Sequence, residues 1–286
     1  MNANAADARN TDQIAFWNGS GGKRWVDRQE PWDVVLAPVT ALALERAAVR
    51  PKERVVDIGC GCGATAIALG ERVGKEGRVL GVDVSAPMLA RARERLPRDL
   101  PIELVEADAT TYPFPAGAFD LLFSRFGVMF FAEPARSFAN LRRALRPGGR
   151  LAFVCFRAPQ DNPWMMLPLN AAYQHVPPLP KLGPDDPGPF SFASEARLRR
   201  ILDAAGFRSV EMTARDLELD VAAGGGLDLA VANALEIGAT SRAIEGQPPA
   251  IRSAVAQAVR EKLASYQRGS RVPLTAGVWL VSAASP

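Results

Sequence analysis

The chain has 286 residues, of which 48% are hydrophobic, enough to bury one sizeable core with a smaller layer over it. Its 34 basic and 31 acidic residues give a formal net charge of +3, and this balance, with no run of five or more like charges, argues against a nucleic-acid partner. No stretch reaches the roughly 18 apolar residues of a membrane span. We therefore expect one domain with a lid and no membrane span.

Cysteine and histidine are too few for a disulfide framework or a metal site. The three cysteines, Cys60, Cys62 and Cys155, are an odd number, and all lie in apolar strand contexts. Zinc bound at Cys60 and Cys62 would need two further ligands, and the chain has a single histidine. Residues Met1–Asp12 are polar and lack the apolar core of a signal peptide. We expect reduced cysteines, no metal and a cytoplasmic location.

The first fifty residues are predicted to form a helical segment that precedes the main fold. Trp17, Trp25 and Trp32 place three of the five tryptophans before the first core strand. Such large aromatic residues either anchor helices to the core or form a hood over a bound ligand. The two roles are compatible, so both remain open.

The next element is a buried strand, Val55–Ile58, which runs into three alternating glycines at 59, 61 and 63. An apolar helix is predicted at 64–69, so the segment has the strand–turn–helix pattern of a nucleotide-binding turn. Glycine lets the backbone turn sharply and approach a ligand closely. A glycine-rich turn alone also fits a nicotinamide or flavin protein, or a simple tight connection.

Two further strands end in acids. The strand at 77–83 ends at Asp83, where a carboxylate can accept both ribose hydroxyls of an adenosine, and the strand at 102–109 contains Asp108, which can bind the adenine edge. A fourth strand at 119–125 and a fifth at 151–156 follow. Because parallel strands end at one edge of a sheet, the acids are expected at a single site.

Five motifs now resemble, in order, those of the class I S-adenosylmethionine-dependent methyltransferases, in the branch similar to ubiquinone and menaquinone C-methyltransferases. They are VVDIGCGCG at 55–63, GVDVSAPMLARAR at 81–93, EADATTYPF at 106–114, FDLLFSRFGVMFF at 119–131 and LRRALRPGGRLAFV at 141–154. The resemblance is strong over residues 50–156 and fair over 190–215. Cys62 departs from the family, which more often has Thr or Ser there, but both suit a tight turn.

The resemblance implies S-adenosyl-L-methionine as cofactor and assigns its contacts. Gly59, Cys60 and Gly61 are expected to line the methionine and ribose, with Asp57 ordering the turn and reaching the donor's amino group through water. The other contacts that the resemblance implies are Asp83 at the ribose, Val84 and Met88 beside the adenine, Asp108 and Ala109 at its edge, and Ser124, Arg125 and Phe126 at the methyl-transfer end. Trp17 and Trp25 are added as cofactor contacts from the interpretation of the early aromatic residues as a hood. Arg125 is also a candidate catalytic residue, or else a structural ion-pair partner of an acid such as Glu133.

Two insertions are predicted to complete a cap. The proline-rich segment 157–189 contains helical spacing from Trp164 to His175, and it supplies Trp164 and Tyr173 as candidate acceptor contacts. His175 is a candidate general base for a phenol, enol or ammonium acceptor, although a single histidine in a loop is more often a surface residue. The segment 221–270 is predicted to form two helices joined at 246–249.

The predicted fold is α/β, with a Rossmann-like seven-stranded, mostly parallel sheet whose antiparallel last strand lies at 277–283 and pairs inside the sheet. Residues 51–156 and 190–286 form the core, and 1–50, 157–189 and 221–270 form the helical cap. The predicted function is in-line methyl transfer to a small apolar or aromatic acceptor. A catalytically silent cofactor-binding protein and a nicotinamide-dependent oxidoreductase are the alternatives. The acceptor's identity, the atom methylated and the oligomeric state are left open.

Overall fold

The protein is described from a computed structural model that covers residues 3–183 and 185–286, with side chains from Asn10 onward. The predicted polar start at Met1–Asp12 and the first cap segment therefore lie partly outside the described residues, and so does Pro184. The strands are β1 (Arg54–Ile58), β2 (Arg78–Asp83), β3 (Ile102–Glu106), β4 (Phe119–Arg125), β5 (Leu145–Phe156), β6 (Arg208–Asp220) and β7 (Pro273–Ala284).

These strands form one seven-stranded sheet in the order β3-β2-β1-β4-β5-β7-β6. The pairs among β1 to β5 are parallel, whereas β7 pairs antiparallel with both β5 and β6. The predicted fold class is thus confirmed, including the antiparallel last strand inside the sheet. β5 begins at Leu145 rather than at 151, because the chain continues its pairing with β4 through an irregular register.

The central strands are apolar because both faces of the sheet are covered. Val55 and Val56 are consecutive in β1 and both are fully buried, as are Leu121 and Leu122 in β4. Consecutive strand residues point to opposite faces, so each pair shows that helices pack on both sides. The helices are α1 (Ala3–Asn18), α2 (Ser20–Asp27), α3 (Gln29–Ala47), α4 (Ala64–Val73), α5 (Ala86–Arg95), α6 (Pro134–Ala144), α7 (Pro163–Ala172), α8 (Glu195–Ala204), α9 (Gly226–Glu236), α10 (Ala239–Ala243) and α11 (Pro249–Ala264).

The segment predicted as an N-terminal cap divides into two parts. Helix α3 packs against strands β4 to β7 and buries Val35, Leu36, Val39 and Leu44 in the main core. It therefore belongs to the layer that covers the sheet rather than to a cap. Only α1 and α2 remain free to lie over the edge where the strands end.

The insertions build a second, smaller core. Helices α7, α9, α10 and α11 pack together around Ala172, Val231, Val255 and Leu263. The prediction of two helices at 221–270 was wrong, since the segment contains three. The additional break falls at Gly238, which has a φ of 84° that other residues adopt at a cost. None of the described helices is long and apolar enough to cross a membrane.

Candidate cofactor and acceptor site

One cavity of about 810 Å³ lies at the carboxyl ends of the parallel strands. Its floor is the turn after β1 together with the ends of β2 and β4, and its walls come from α1 to α3 and from both insertions. Ligands of open parallel sheets bind at this edge, where the connections to the helices diverge. Of the residues implied as cofactor contacts, those that line the cavity are Trp17, Trp25, Gly59, Cys60, Gly61, Asp83, Val84, Met88, Asp108, Ala109, Arg125 and Phe126.

The turn after β1 requires glycine for two physical reasons. Gly59 has a φ of 69° and Gly61 a φ of 52°, both in the left-handed region that favours glycine. A Cβ on Gly59 would also lie 2.6 Å from the Cα of Gly127, an impossible contact between two backbones. The amide of Gly59 donates to the Val82 carbonyl at 2.8 Å, which ties the turn to the end of β2.

Asp83 is held in one orientation by its own neighbourhood. Its Oδ2 accepts a hydrogen bond from the Gly61 amide at 2.7 Å, and its Oδ1 accepts one from the Ser85 amide at 2.9 Å. Burial raises the pKa of this carboxyl, and the backbone hydrogen bonds oppose that rise. Each carboxylate oxygen can accept more than one bond. Asp83 is thus an oriented acceptor that still has capacity for two hydroxyl groups.

Asp108 has a partner that the sequence analysis did not anticipate. Its Oδ1 accepts from the Thr110 amide at 2.8 Å, and its Oδ2 accepts from the side-chain amide of Asn10 at 2.8 Å. Asn10 lies on α1, 98 residues away along the chain. Helix α1 is therefore fastened across the end of β3. No motif marks Asn10, so only its position in the fold identifies it.

Asp57 and Ser124 were predicted to contact the cofactor, but neither lines the cavity. The Asp57 carboxyl is fully buried, accepts from the Thr65 hydroxyl at 2.6 Å through Oδ2, and leaves Oδ1 without a partner among the described residues. Burial raises the pKa of Asp57 to about 7. The Ser124 hydroxyl donates to the Ile58 carbonyl at 2.8 Å. Both side chains lie in the core beneath the turn, because they alternate with the residues that face the ligand edge.

Arg125 does line the cavity, and the ion pair with Glu133 does not form. Its Nη1 donates to the Thr40 hydroxyl on α3 at 2.7 Å, while Glu133 pairs with Arg136 at 3.0 Å. Burial lowers the pKa of the Arg125 guanidinium, and the charges of Asp33 and other acids partly offset that effect. The side chain is therefore a cation held close to the floor of the cavity.

A continuous aromatic wall lines the opposite side of the cavity. The ring centroids of Trp17 and Phe130 are 5.1 Å apart, those of Trp25 and Trp32 are 6.0 Å apart, and those of Trp32 and Trp164 are 5.7 Å apart. Trp32 is only 4% exposed and belongs to the main core as well. Trp32 thus anchors α3 to the core, and its ring also lines the cavity.

The wall continues through residues that the sequence analysis did not assign to the site. Phe156 stacks on Phe126 at 4.1 Å and contacts Trp164 and Phe190 at 5.5 and 6.4 Å. Phe156 ends β5, and Phe190 follows the proline-rich segment. An apolar residue at a strand end is indistinguishable from core in sequence, so no signal marked them.

Of the two candidate residues that follow helix α7, Tyr173 and His175, only Tyr173 lies at the site. Tyr173 lines the cavity, and its hydroxyl accepts from the Leu179 amide at 3.3 Å. His175 is exposed to solvent, lies outside the cavity lining, and follows the end of α7. The structure does not bring His175 to the site, and we do not propose it as a base. Its place beyond the helix end, where the chain turns outward, is the reason.

Helix α2 and Arg28, the residue that follows it, are joined to the insertion at 221–270 across the cavity mouth. The Arg28 guanidinium makes two hydrogen bonds to Glu236, at 2.6 and 2.9 Å, and it holds the pKa of that carboxyl below its usual value. Arg24 pairs with Glu245 at 3.2 Å. On the floor side, the Ser85 hydroxyl donates to the Trp17 carbonyl at 2.6 Å. The bonds of Arg28 and Arg24 connect segments that lie more than 200 residues apart along the chain.

The cysteines of the turn are part of its packing. Cys60 and Cys62 are free and buried, and burial raises the pKa of the Cys60 thiol, which keeps it protonated and unreactive. The Cys62 carbonyl accepts from the Arg95 guanidinium at 2.6 Å. Among the side chains of residues 10–183 and 185–286, no group of three or more His, Cys, Asp or Glu is arranged to hold a metal ion.

Comparison with known proteins agrees with this geometry. The family model described as "Methyltransferase domain" matches residues 56–153. The chain is 37% identical over 179 residues to a demethylmenaquinone methyltransferase from Thermus thermophilus, covering 58% of this chain and 77% of that protein. It is 30% identical over 191 residues to a ubiquinone/menaquinone biosynthesis C-methyltransferase from Photorhabdus laumondii, covering 60% of this chain and 73% of that one.

Solved structures share the fold at low sequence identity. The YcgJ protein from Bacillus subtilis superimposes with a TM-score of 0.56 and 17% identity, over 87% of this chain and 98% of that one. Phosphoethanolamine N-methyltransferase 2 from Haemonchus contortus, in complex with S-adenosyl-L-methionine, gives a TM-score of 0.53 and 20% identity, over 87% of this chain and 52% of that one. These likenesses establish the fold alone.

The sheet order, the glycine turn and these relatives together define the class: the chain belongs to the class I S-adenosylmethionine-dependent methyltransferases. Within that class it lies in the branch similar to the ubiquinone and menaquinone C-methyltransferases. It is an enzyme that uses S-adenosyl-L-methionine to methylate a small apolar or aromatic molecule, as the motifs predict. Neither the silent binding protein nor the nicotinamide oxidoreductase receives support.

Proposed function

We propose that the acceptor is a hydroxylated aromatic ring of the quinol kind, methylated by direct displacement from the cofactor. The aromatic wall around Trp32 and Trp164 is the observation that carries this proposal, because flat apolar rings gain most from such faces. Three relatives add support, since they are named as demethylmenaquinone, ubiquinone/menaquinone and 2-phytyl-1,4-naphthoquinone methyltransferases, and each name specifies a quinone-type ring.

The proposed cofactor position follows from the oriented groups of the floor. Asp83 accepts the two ribose hydroxyls, because both of its oxygens are fixed by backbone amides and retain free acceptor capacity. Val84 and Met88 lie on either side of the adenine, and Asp108 binds its edge. Gly59 and Gly61 let the backbone approach the ribose and methionine. The residues present therefore fit S-adenosyl-L-methionine.

The bound cofactor supplies an electrophilic methyl group on a sulfonium cation. The chain's own part is to align the acceptor with that methyl group and to exclude water, which is most of what an in-line displacement needs. The rings of Trp17 and Phe126 offer negative faces that favour a nearby cation. Trp164 and Tyr173 then border the acceptor.

We also propose that α1, α2 and the segments 157–189 and 221–270 act as the cap that closes on the ligands. The two hydrogen bonds from the Arg28 guanidinium to the Glu236 carboxylate support this proposal because they join the end of α2 directly to the segment 221–270. A cytoplasmic location is proposed as well. It is supported by the three buried free thiols, which a reducing compartment preserves.

The test is a screen for methylated product by mass spectrometry, with the purified protein, S-adenosyl-L-methionine and reduced naphthoquinols or benzoquinols beside phenols, amines and thiols. We expect product with the quinols. Trp164→Ala should raise KM for the accepted quinol by roughly tenfold or more, because it removes apolar wall area. Tyr266→Ala, which alters an exposed residue outside the cavity lining, is the matched control and should match the wild type.

Two results would contradict the proposal. If only small, charged, hydrophilic compounds are methylated, the aromatic wall does not select the acceptor. If the cofactor binds but no compound of any class is methylated, the proposal of a quinol acceptor fails.

A further inference from the structure

Arg125 is a partly buried cation that forms no ion pair among the described residues, although Asp33 and Asp57 are near enough for their charges to raise its pKa. It is the last residue of β4 and lines the cavity, and its Nη1 donates a hydrogen bond to a neutral group, the Thr40 hydroxyl. Among residues 10–183 and 185–286, no carboxylate lies within 4.0 Å of its guanidinium in any ion pair that the structure records. A guanidinium removed from water without an anionic partner is costly, so such a group commonly meets an anion from a ligand.

The surroundings of Arg125 place that anion beside the glycine turn. The backbone just after Arg125 touches the turn, since a Cβ on Gly59 would lie 2.6 Å from the Cα of Gly127. Arg95 ties Asp33 to the same turn by donating to both the Asp33 carboxylate and the Cys62 carbonyl. Asp33 and Cys62 also line the cavity. This neighbourhood adjoins the first turn of α4, a ten-residue helix whose free amides and dipole favour negative charge.

The charges of Arg125 and Asp33 are complementary to those of an α-amino acid. Arg125 offers a cation, and Asp33 offers a carboxylate whose Oδ2 is already fixed by Gln29 and Arg95. An α-amino acid carries one carboxylate and one ammonium on adjacent atoms. The methionine part of S-adenosyl-L-methionine is such a group, and the glycine turn is where the proposed cofactor position places it. A quinol ring, in contrast, carries no fixed negative charge for Arg125 to pair with.

We propose that Arg125 binds the α-carboxylate of the cofactor's methionine part, with Asp33 facing the ammonium. The inference rests on the proposed cofactor position. Arg125 is then a donor-binding residue rather than a catalytic acid or base. Pairing with the carboxylate also cancels a positive charge that would otherwise oppose the nearby sulfonium.

The test compares two ligands that differ by one carboxylate, S-adenosyl-L-methionine and decarboxylated S-adenosylmethionine, by titration calorimetry. Arg125→Met should weaken binding of the first by roughly 10- to 100-fold and of the second by less than about threefold. Arg125→Lys should recover part of the loss, because it restores the charge without the planar donor pair. Arg199→Met is the matched control, since Arg199 is half exposed and lies outside the cavity lining.

The outcomes are distinguishable from failure of the proposed function. Equal loss for both ligands, or no loss for either, in a folded Arg125→Met protein overturns the inference. If that variant does not fold, Arg125→Lys decides by the same comparison, and a loss that is equal for both ligands again overturns the inference. A persistent preference for that ligand without methylation of any quinol would leave the inference standing and refute the acceptor.

Discussion

Asp57 is expected to make the protein less stable as the pH rises. An ordinary acid in an ion pair has the opposite effect, because its pKa is lowered by folding rather than raised. The carboxyl is fully buried, has one side-chain hydrogen bond from Thr65, and has a pKa raised to about 7 from an ordinary value of 3.8. A raised pKa favours the protonated form in the folded state. The associated stability is fully present below about pH 4 and is lost as the pH rises through about 7. A shift of about three units corresponds to at most roughly 4 kcal/mol.

The perturbation is Asp57→Asn, which keeps the shape and removes the charge. The free energy of unfolding, from urea titrations followed by circular dichroism at pH 4 to 8, should be similar to that of the wild type at pH 4. At pH 8 the variant should be more stable by about 2 to 4 kcal/mol. Asp99→Asn, at an exposed acid, should follow the wild type throughout. A constant difference between Asp57→Asn and the wild type across this pH range would refute the reasoning.

Three further results are expected. Asp83→Ala should weaken cofactor binding by about 2 to 4 kcal/mol in calorimetry, because two charge-assisted bonds are lost, and an unchanged affinity in a folded variant would remove Asp83 from the ribose. Glu236→Gln weakens the bond to Arg28, so cofactor should protect residues 10–28 less against hydrogen exchange than in the wild type; equal protection would mean that this bond does not hold the cap. His175→Gln should lower turnover by well under a hundredfold, since the side chain is exposed away from the cavity, whereas a larger loss would return it to the mechanism.

Much of the fold could be predicted from sequence because it is encoded locally. The β1 run that includes Val55 and Val56, bounded by glycines, predicts a strand covered on both faces, and the glycines that follow it adopt the left-handed φ values that favour glycine. Asp83 was found for the same reason. It is the last residue of β2, which is parallel to β1, and the carboxyl ends of parallel strands lie at the same edge of the sheet. These inferences need only the period of a strand and the direction of its neighbours.

The rest was decided by packing between residues far apart in the chain. Whether Asp57 faced the ligand or the core depended on how the turn sits on α4, and the structure places it below the turn with Thr65. Arg125 could have paired with Glu133 nearby, but the fold brings Thr40 to it instead, 85 residues away. Asn10 meets Asp108 across 98 residues.

The sequence by itself therefore determined the approximate places of β1 to β5 and of β7, the glycine turn and the acid that ends β2, because each follows from the conformational preferences of a few consecutive residues. Only the tertiary structure decided which polar side chains reach the cavity, that α3 covers the sheet, and that His175 lies outside the site. Those outcomes depend on the relative placement of whole elements, since a side chain's burial and partners are set by whatever the rest of the chain packs against it.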